Sequence, residues 1–374
     1  MAQQLNTPVP MADVLVQDAG IVGLAAALGI ARHRHRVMVL ATGDSAPDPG
    51  AGIRLSEHAL RALDGLGVGD AVRARCVSIG ELRLMEGTTG EQLASVPAAG
   101  DGSDACPTTV VARRDLHGIL YEACAGNPDV RVRQGAPVDR YEQDGERVTV
   151  VLRSGERLVA DALVGAGGAC STVHHQLTGT RHHPSTTAYH HAVLPGGRLP
   201  DTLHPDALTV WARPRWQVVQ CPTGLEGGVD LCVQCTAGAG GTVENRPVTV
   251  DQVLGDCAEA GEQVRALLAG GDGWHTWAPC DPPPATRWTD HRVALAGDTD
   301  GPALPFALGG WHQTLLDAVL LGGLMDCDPR DFPSAFRAYT ARRSAQAQRD
   351  RARMLYAVYA GGRHDRPSGP CTTC

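Results

Sequence analysis

Lysine is absent from this chain of 374 residues; all 33 basic residues are arginine. No lysine Schiff base and no catalytic lysine amine can form, which excludes pyridoxal-phosphate enzymes and class I aldolase chemistry. Aromatic residues make up only 4%, so the core must be built from Ala, Val and Leu. Long apolar runs are also missing. The longest beside a strand-helix pattern, Ile21–Ile30, is far too short to span a bilayer. The N-terminal MAQQLNTPVPMA has neither a charged segment nor an apolar one of the secretory kind, and the expectation is a cytoplasmic protein with no membrane partner. Positive charge is in deficit. The net charge of −8 argues against a nucleic-acid partner, whose footprint is basic.

What is present points to an α/β protein. Length predicts two or three domain-sized units, and 45 glycines suit tight turns. Twelve cysteines without a secretory signal read as reduced, buried thiols rather than a disulfide framework. Val14-Leu15-Val16 is a buried strand, DAGIVGLAAALGIARHRH places Leu24, Ala27, Leu28 and Ala31 at helical spacing, and Val37–Leu40 is a second strand. A glycine-containing turn opening such a βαβ unit is the context of a dinucleotide fold. A helix is expected within 50–72, ending at Gly65 or Gly67, and another over 113–126. Residues 130–164 alternate like a β-meander, and 185–240 are strand-rich. RVALAGD (292–298) reads as strand into loop, with a helix over 314–325.

Five ordered segments carry a resemblance: VLVQDAGIVGLAAAL, GAGIRLSEHALRALDGLGVGDAV, RRDLHGIL, DALVGAGGACSTV and RWTDHRVALAGDTDGPALPFALGGWHQTLLDAV. Over about 13–345 the chain resembles the class A FAD-dependent monooxygenases, the aromatic hydroxylases related to para-hydroxybenzoate and salicylate hydroxylase. The resemblance implies a Rossmann-like FAD-binding-type domain with an inserted antiparallel β-sheet substrate domain. The first is expected over 11–80, 105–175 and 285–350, the second over 81–104 and 176–284, and a helix end and flexible tail over 351–374. It also implies FAD, NADPH, molecular oxygen and a small ring substrate, with Gly20, Gly23, Arg113, Asp298 and Gly310 at cofactor-binding positions.

Several cofactor positions depart from the family pattern. Asp18 stands at the first fingerprint glycine, where a turn suits glycine and a carboxylate would face a pyrophosphate. At an effective dielectric of about 20, unit charges about 5 Å apart repel by roughly 3 kcal/mol. Ala41 replaces the ribose-binding acid, Gly167-Gly168 replace an Asp-Gly pair, Thr299-Asp300-Gly301 replace Ala-Ala-His, and Leu308 and His312 replace a glycine and an asparagine. Fold-bearing Gly65, Gly67, Leu116, Asp161 and Asp317 are kept. The expectation is therefore an enzyme on the hydroxylase scaffold without flavin or any other cofactor, catalysing cyclisation, dehydration or isomerisation of a small apolar or aromatic metabolite. The alternatives are an FAD and NADPH hydroxylase with a divergent cofactor site, and a non-catalytic binder. Proton transfer falls to His191, Asp298, Asp300, His312 and Tyr189, with Trp211, Trp311, Pro305 and Phe306 lining the pocket.

Metal binding is not expected. His-His pairs at 174–175, 182–183 and 190–191 point to opposite faces if on strands. Cys232 and Cys235 are three apart in a strand-like run and also face opposite ways, and Cys371 and Cys374 sit on a polar tail.

Overall fold

The computed structural model describes residues 11–43, 52–98, 108–180, 183–184, 187–200, 203–204, 206–223, 227–236, 243–278, 280–281, 287–297 and 310–361. The apolar run Asp13–Gln17 is the hub of a six-stranded sheet. It pairs in parallel with Arg36–Leu40 on one side and Ala162–Gly165 on the other. Val130–Arg133 extends the sheet beyond Arg36–Leu40; Val293–Leu295 and the antiparallel edge Thr289–Asp290 complete it. Strands buried on both faces must be apolar throughout, and Val14, Val16, Val37 and Val39 are all buried.

The helices Ile21–Ala31 and Gly310–Leu324 pack together on this sheet. Asp317, a residue kept from the family pattern, is fully buried on the second of these. It is held by Arg343 at 2.7 Å, which reaches over from the helix Phe332–Gly361. Leu116, on the helix Arg113–Ala125, is fully buried in the same core. Ser56 caps Glu57–Gly65, its side chain accepting from the Ala59 amide.

The stretch 130–164 is not one meander. Its ends, Val130–Arg133 and Ala162–Gly165, belong to the parallel sheet; only Val138–Gln143, Val148–Leu152 and Arg157–Ala160 form an antiparallel three-stranded sheet. Short alternating strands look alike in either setting.

The second large layer is an eight-stranded sheet. Its order is Val243–Pro247, Asp272–Ala278, Thr187–Leu194, Val229–Thr236, Trp216–Pro222, Ala207–Arg213, Glu81–Glu86, Gln92–Pro97. It is antiparallel, as expected, except where Ala207–Arg213 runs parallel to Glu81–Glu86. The chain reaches Glu81–Glu86 long before the rest of the sheet, so that pairing needs no hairpin. One face of the sheet meets a small sheet of Gly52–Leu55, Thr108–Ala112 and Val77–Ile79 through Ile79, Val110, Leu208, Val219 and Cys221. The other is covered by the helices Val250–Asp256 and Glu262–Gly270, with Val253, Val264 and Leu267 packed on Trp216, Val218 and Leu231. We call these the inner and outer faces. Among the described residues seven cysteines are free thiols, as expected, but Cys170 is disulfide-bonded.

Candidate active site

The turn after Asp13–Gln17 is built for close backbone approach. Gly20 opens the helix Ile21–Ala31 in extended conformation. A Cβ on Gly23 would lie 2.0 Å from the Asp18 carbonyl oxygen, so only glycine lets the helix seat against the turn. Asp18 has φ +80°: the side chain has changed while the backbone keeps the left-handed conformation of a glycine. Aspartate is among the few residues that tolerate it. Its Oδ2 accepts from the Gly20 amide at 3.0 Å. Burial pushes the Asp18 carboxyl above its ordinary value, opposed by hydrogen bonds from the Gly20 and Ala19 amides and by the charges of His117 and Arg113. Arg113 thus stands beside the turn, at the start of the helix Arg113–Ala125. His117 on the same helix hydrogen-bonds the Ala19 carbonyl at 2.8 Å.

The second cluster lies between the inner face and the small sheet. In the register His191↔Cys232, Val193↔Asp230 and Cys221↔Asp230, paired residues share a face, which places Tyr189, His191, Cys232, Asp230 and Cys221 together on the inner one. His191 is buried, and its Nε2 lies 2.9 Å from Asp230 Oδ1. Asp230 is fully buried, and its Oδ2 accepts from the Gly52 amide at 2.9 Å, so this carboxylate ties the two layers together. Trp277 meets the His191 ring edge-on at 5.9 Å. Arg54 shares a strand with Gly52 and approaches the same seam. Burial pushes its guanidinium below the usual arginine value, with the Cys221 thiol beside it. That thiol is itself driven well up by burial and by Asp230 and is neutral. Arg54 is therefore a half-buried cation without a hydrogen-bonded anion among the described residues.

Of the residues expected to share one pocket, Tyr189 and His191 are brought together. Trp211 is not. The register Trp211↔Val218, Val218↔Val233 and Val233↔His190 sets it on the outer face. There it lines a cavity of about 140 Å³ with Arg83, Thr209, Gln220, Leu203 and Leu267. Asp298, Asp300, Pro305 and Phe306 lie outside the described residues. Gly310 is the first residue of the helix Gly310–Leu324 and Trp311 and His312 follow in its first turn; the side chains of the latter two are likewise outside the description. Cys371 and Cys374 lie beyond it as well. Sequence reasoning missed Asp230 and Arg54. The first is one acid in a strand, and the second was absorbed in the motif GAGIRL.

The outer face carries its own polar group. His190 Nε2 is 2.9 Å from Asp256 Oδ2 and 3.4 Å from Cys235 Sγ. Burial lowers the His190 pKa and the Asp256 hydrogen bond opposes that shift, while burial pushes the Cys235 thiol up to about 12.

A parallel sheet whose first turn has this backbone, joined to a large β layer through a small three-stranded sheet, defines a dinucleotide-binding α/β protein of the flavoprotein kind. A family model described as FAD binding domain matches residues 11–349. The 3-hydroxybenzoate 6-hydroxylase 1 of Aquipseudomonas alcaligenes is 34% identical over 353 residues, covering 92% of this chain and 88% of the relative. The 3-amino-4-hydroxybenzoate 2-monooxygenase PtnB3 of Streptomyces platensis is 26% identical over 329 residues, covering 87% and 82%. Among solved structures, HpxO of Klebsiella pneumoniae, complexed with FAD and uric acid, matches with a TM-score of 0.76 at 22% identity, over 91% of this chain and 86% of that one. The chain belongs to the family of class A FAD-dependent aromatic hydroxylases.

The expectation that flavin had been lost, leaving a cofactor-free cyclase, dehydratase or isomerase, is overturned by these relatives. The physical reason is visible at Asp18. The expectation there is a disturbed glycine turn and a carboxylate set against the pyrophosphate; the turn is intact, with Asp18 in the left-handed conformation, and burial raises the pKa of its carboxyl. No described helix is long and apolar enough to cross a membrane.

Proposed function

We propose that this chain is an FAD- and NADPH-dependent hydroxylase of a small aromatic acid of the hydroxybenzoate class. The observation that carries the substrate class is Arg54: a half-buried guanidinium without a hydrogen-bonded anion among the described residues, in the seam between the eight-stranded sheet and the small sheet that contains Gly52–Leu55. Such a cation suits a carboxylate, which it can grip through two parallel N–H···O bonds. The names of the curated relatives, hydroxybenzoate hydroxylases and aminohydroxybenzoate monooxygenases, agree with it.

The residues fit an FAD. Gly20, Gly23 and the open N-terminus of Ile21–Ala31 would hold the pyrophosphate, with Arg113 beside them. When bound and reduced by NADPH, FAD supplies the activated oxygen for hydroxylation. The chain's own part is placement. Arg54 binds the substrate carboxylate, and Asp230 holds the His191 ring through Nε2. The apolar wall of Leu208, Val219 and Val110 excludes water and makes the Arg54 charge count for more. Orientation of this kind supplies a large share of the barrier reduction in a bimolecular step.

The test is to load the purified protein with FAD and follow NADPH oxidation and oxygen uptake with 3-hydroxybenzoate, benzoate and phenol. Stimulation by the hydroxy acid with a product heavier by one oxygen atom is expected. Phenol outperforming every carboxylate would remove the acid-substrate reading. A protein that takes up no FAD would remove the hydroxylase reading itself.

A further inference from the structure

Two short motifs are each divided by the eight-stranded sheet. Of His190-His191, the second residue enters the inner seam and the first turns outward. Of Cys232 and Cys235, three apart on Val229–Thr236, the first shares the inner face with His191 and the second is on the outer face with His190. The outward members meet. His190 Nε2, Cys235 Sγ and an Asp256 carboxylate oxygen all lie within 4.8 Å of one another. Asp256 closes the helix Val250–Asp256, whose start is fixed by a capping box of Thr249 and Gln252. The next residue, Cys257, is fully buried.

Hydrogen bonds tie this arrangement together, with Cys235 Sγ also donating to the Ala188 carbonyl at 3.7 Å. The same nitrogen, Nε2, faces both Asp256 and Cys235. A neutral imidazole nitrogen carries either one proton or one lone pair. If Nε2–H donates to the carboxylate, the thiol proton goes to the Ala188 carbonyl. If Nε2 accepts from the thiol, the carboxylate faces a lone pair at 2.9 Å. The ring's Nδ1 is buried without a hydrogen-bond partner in either tautomer and does not decide between them. The geometry is also not that of a nucleophilic triad, in which thiol and carboxylate occupy opposite ring nitrogens. An imidazole nitrogen, a thiol sulfur and a carboxylate oxygen within 4.8 Å of one another are also the donor atoms of a cation site.

We propose that His190, Cys235 and Asp256 form a zinc site on the outer face of the eight-stranded sheet. Thiolate, imidazole and carboxylate are the zinc donor set, and the sulfur favours zinc over magnesium or calcium. Donors on a tetrahedral ion about 2.0–2.3 Å away sit about 3.3–3.8 Å apart. The nitrogen lies 2.9 Å from the carboxylate and 3.4 Å from the sulfur, and all three are within 4.8 Å, so the donors need adjust by no more than about 1 Å. The Asp256 side chain is half exposed and gives the ion a path from solvent. The fourth position goes to water or to the Cys257 thiol. Binding releases the Cys235 proton to solvent. The ion would staple the helix Val250–Asp256 to the sheet, on the face away from the proposed reaction.

The test uses the whole chain, FAD-loaded, dialysed against a chelator and titrated with zinc or with cobalt(II) as the spectroscopic probe. About one equivalent per chain is expected, with a thiolate-to-cobalt charge-transfer band and a higher Tm on zinc addition. Cys235→Ser abolishes the band, and Asp256→Asn, at a half-exposed position that folding tolerates, weakens zinc at least about tenfold. Cys232→Ser, on the opposite face, leaves both unchanged. Absence of the band in the parent protein overturns the proposal. So does loss of zinc from Cys232→Ser equal to that from Cys235→Ser, or unchanged zinc affinity in Asp256→Asn. Flavin content, read separately at each step, keeps this outcome independent of the hydroxylase reading.

Discussion

The two faces of the eight-stranded sheet receive nearly the same residues and make different things of them. Each has a histidine from one His-His pair, a cysteine from one pair three apart, and an aspartate. On the inner face the aspartate is Asp230, wholly buried, bound at once to His191 and to the amide of Gly52 in the next layer. On the outer face it is Asp256, half exposed at a helix end. The difference teaches that composition of a polar cluster says little about its energetics. A charge enclosed between two layers is desolvated and must be held by its partners, while one at the rim keeps water as a partner and can move.

The largest expected effect is on the inner face. Asp230→Ala removes the partner of a buried histidine and of a buried backbone amide. It should cost about 3–5 kcal/mol of unfolding free energy, read by denaturant titration of the FAD-loaded protein. A loss below about 1 kcal/mol would show that the inner pair is as hydrated as the outer one and would erase the contrast. Next comes Arg54→Met, which keeps the length of the stem but not the charge. It should raise KM for 3-hydroxybenzoate about 10²-fold, the loss of a charge-assisted contact worth roughly 2–3 kcal/mol, with the Tm unchanged or higher because a desolvated cation is gone. If KM is unchanged while the Tm drops, Arg54 is a structural residue and the inner seam is no substrate site.

Much of this was legible in the sequence. The parallel strands 14–16 and 37–40, the helices near 113–126 and 314–325 and the inserted strand-rich layer follow from apolar periodicity and turn residues. The division of His190 from His191 and of Cys232 from Cys235 follows from the two-residue period of a strand. What the pattern could not show is which strands lie side by side. Asp230 meets His191 across a pairing between segments about forty residues apart, and Asp256 arrives from a helix laid over the sheet; neither register is written locally. Asp18 failed in the other direction. The residue was read as a broken turn, because glycine is the usual occupant of a left-handed position, yet the neighbouring amides of Ala19 and Gly20 support an aspartate there.

That residue supplies a third, smaller prediction, which sharpens the contrast between enclosed and hydrated acids. Burial raises the Asp18 pKa above its ordinary 3.8, so its folded state favours the protonated form. A protonated Asp18 donates to a phosphate, and an ionised one repels it. FAD affinity should therefore fall as pH rises from the ordinary carboxylate range through the raised pKa, by about tenfold or more, measured by flavin fluorescence titration. Asp18→Asn should flatten the dependence, and Asp18→Gly should flatten it and tighten binding at neutral pH. A pH profile identical in all three proteins would mean that Asp18 does not sense the pyrophosphate.

The smallest effect belongs to the outer face in metal-free protein. Asp256→Asn removes a half-exposed partner of His190, and at neutral pH the cost should stay under about 1 kcal/mol. The sign of its pH dependence is informative. His190 is held below its ordinary 6.5 by burial, with the Asp256 hydrogen bond opposing the shift. The unfolded chain thus binds a proton that the folded chain refuses, and stability falls as pH drops below about 6.5. Without Asp256 the folded pKa drops further, so the variant should lose stability over a longer span of acid pH than the parent, while the two agree above pH 7. Denaturant midpoints collected across that range check it. A variant that is less stable by the same amount at every pH would show that Asp256 acts through the helix end alone, with His190 uninvolved.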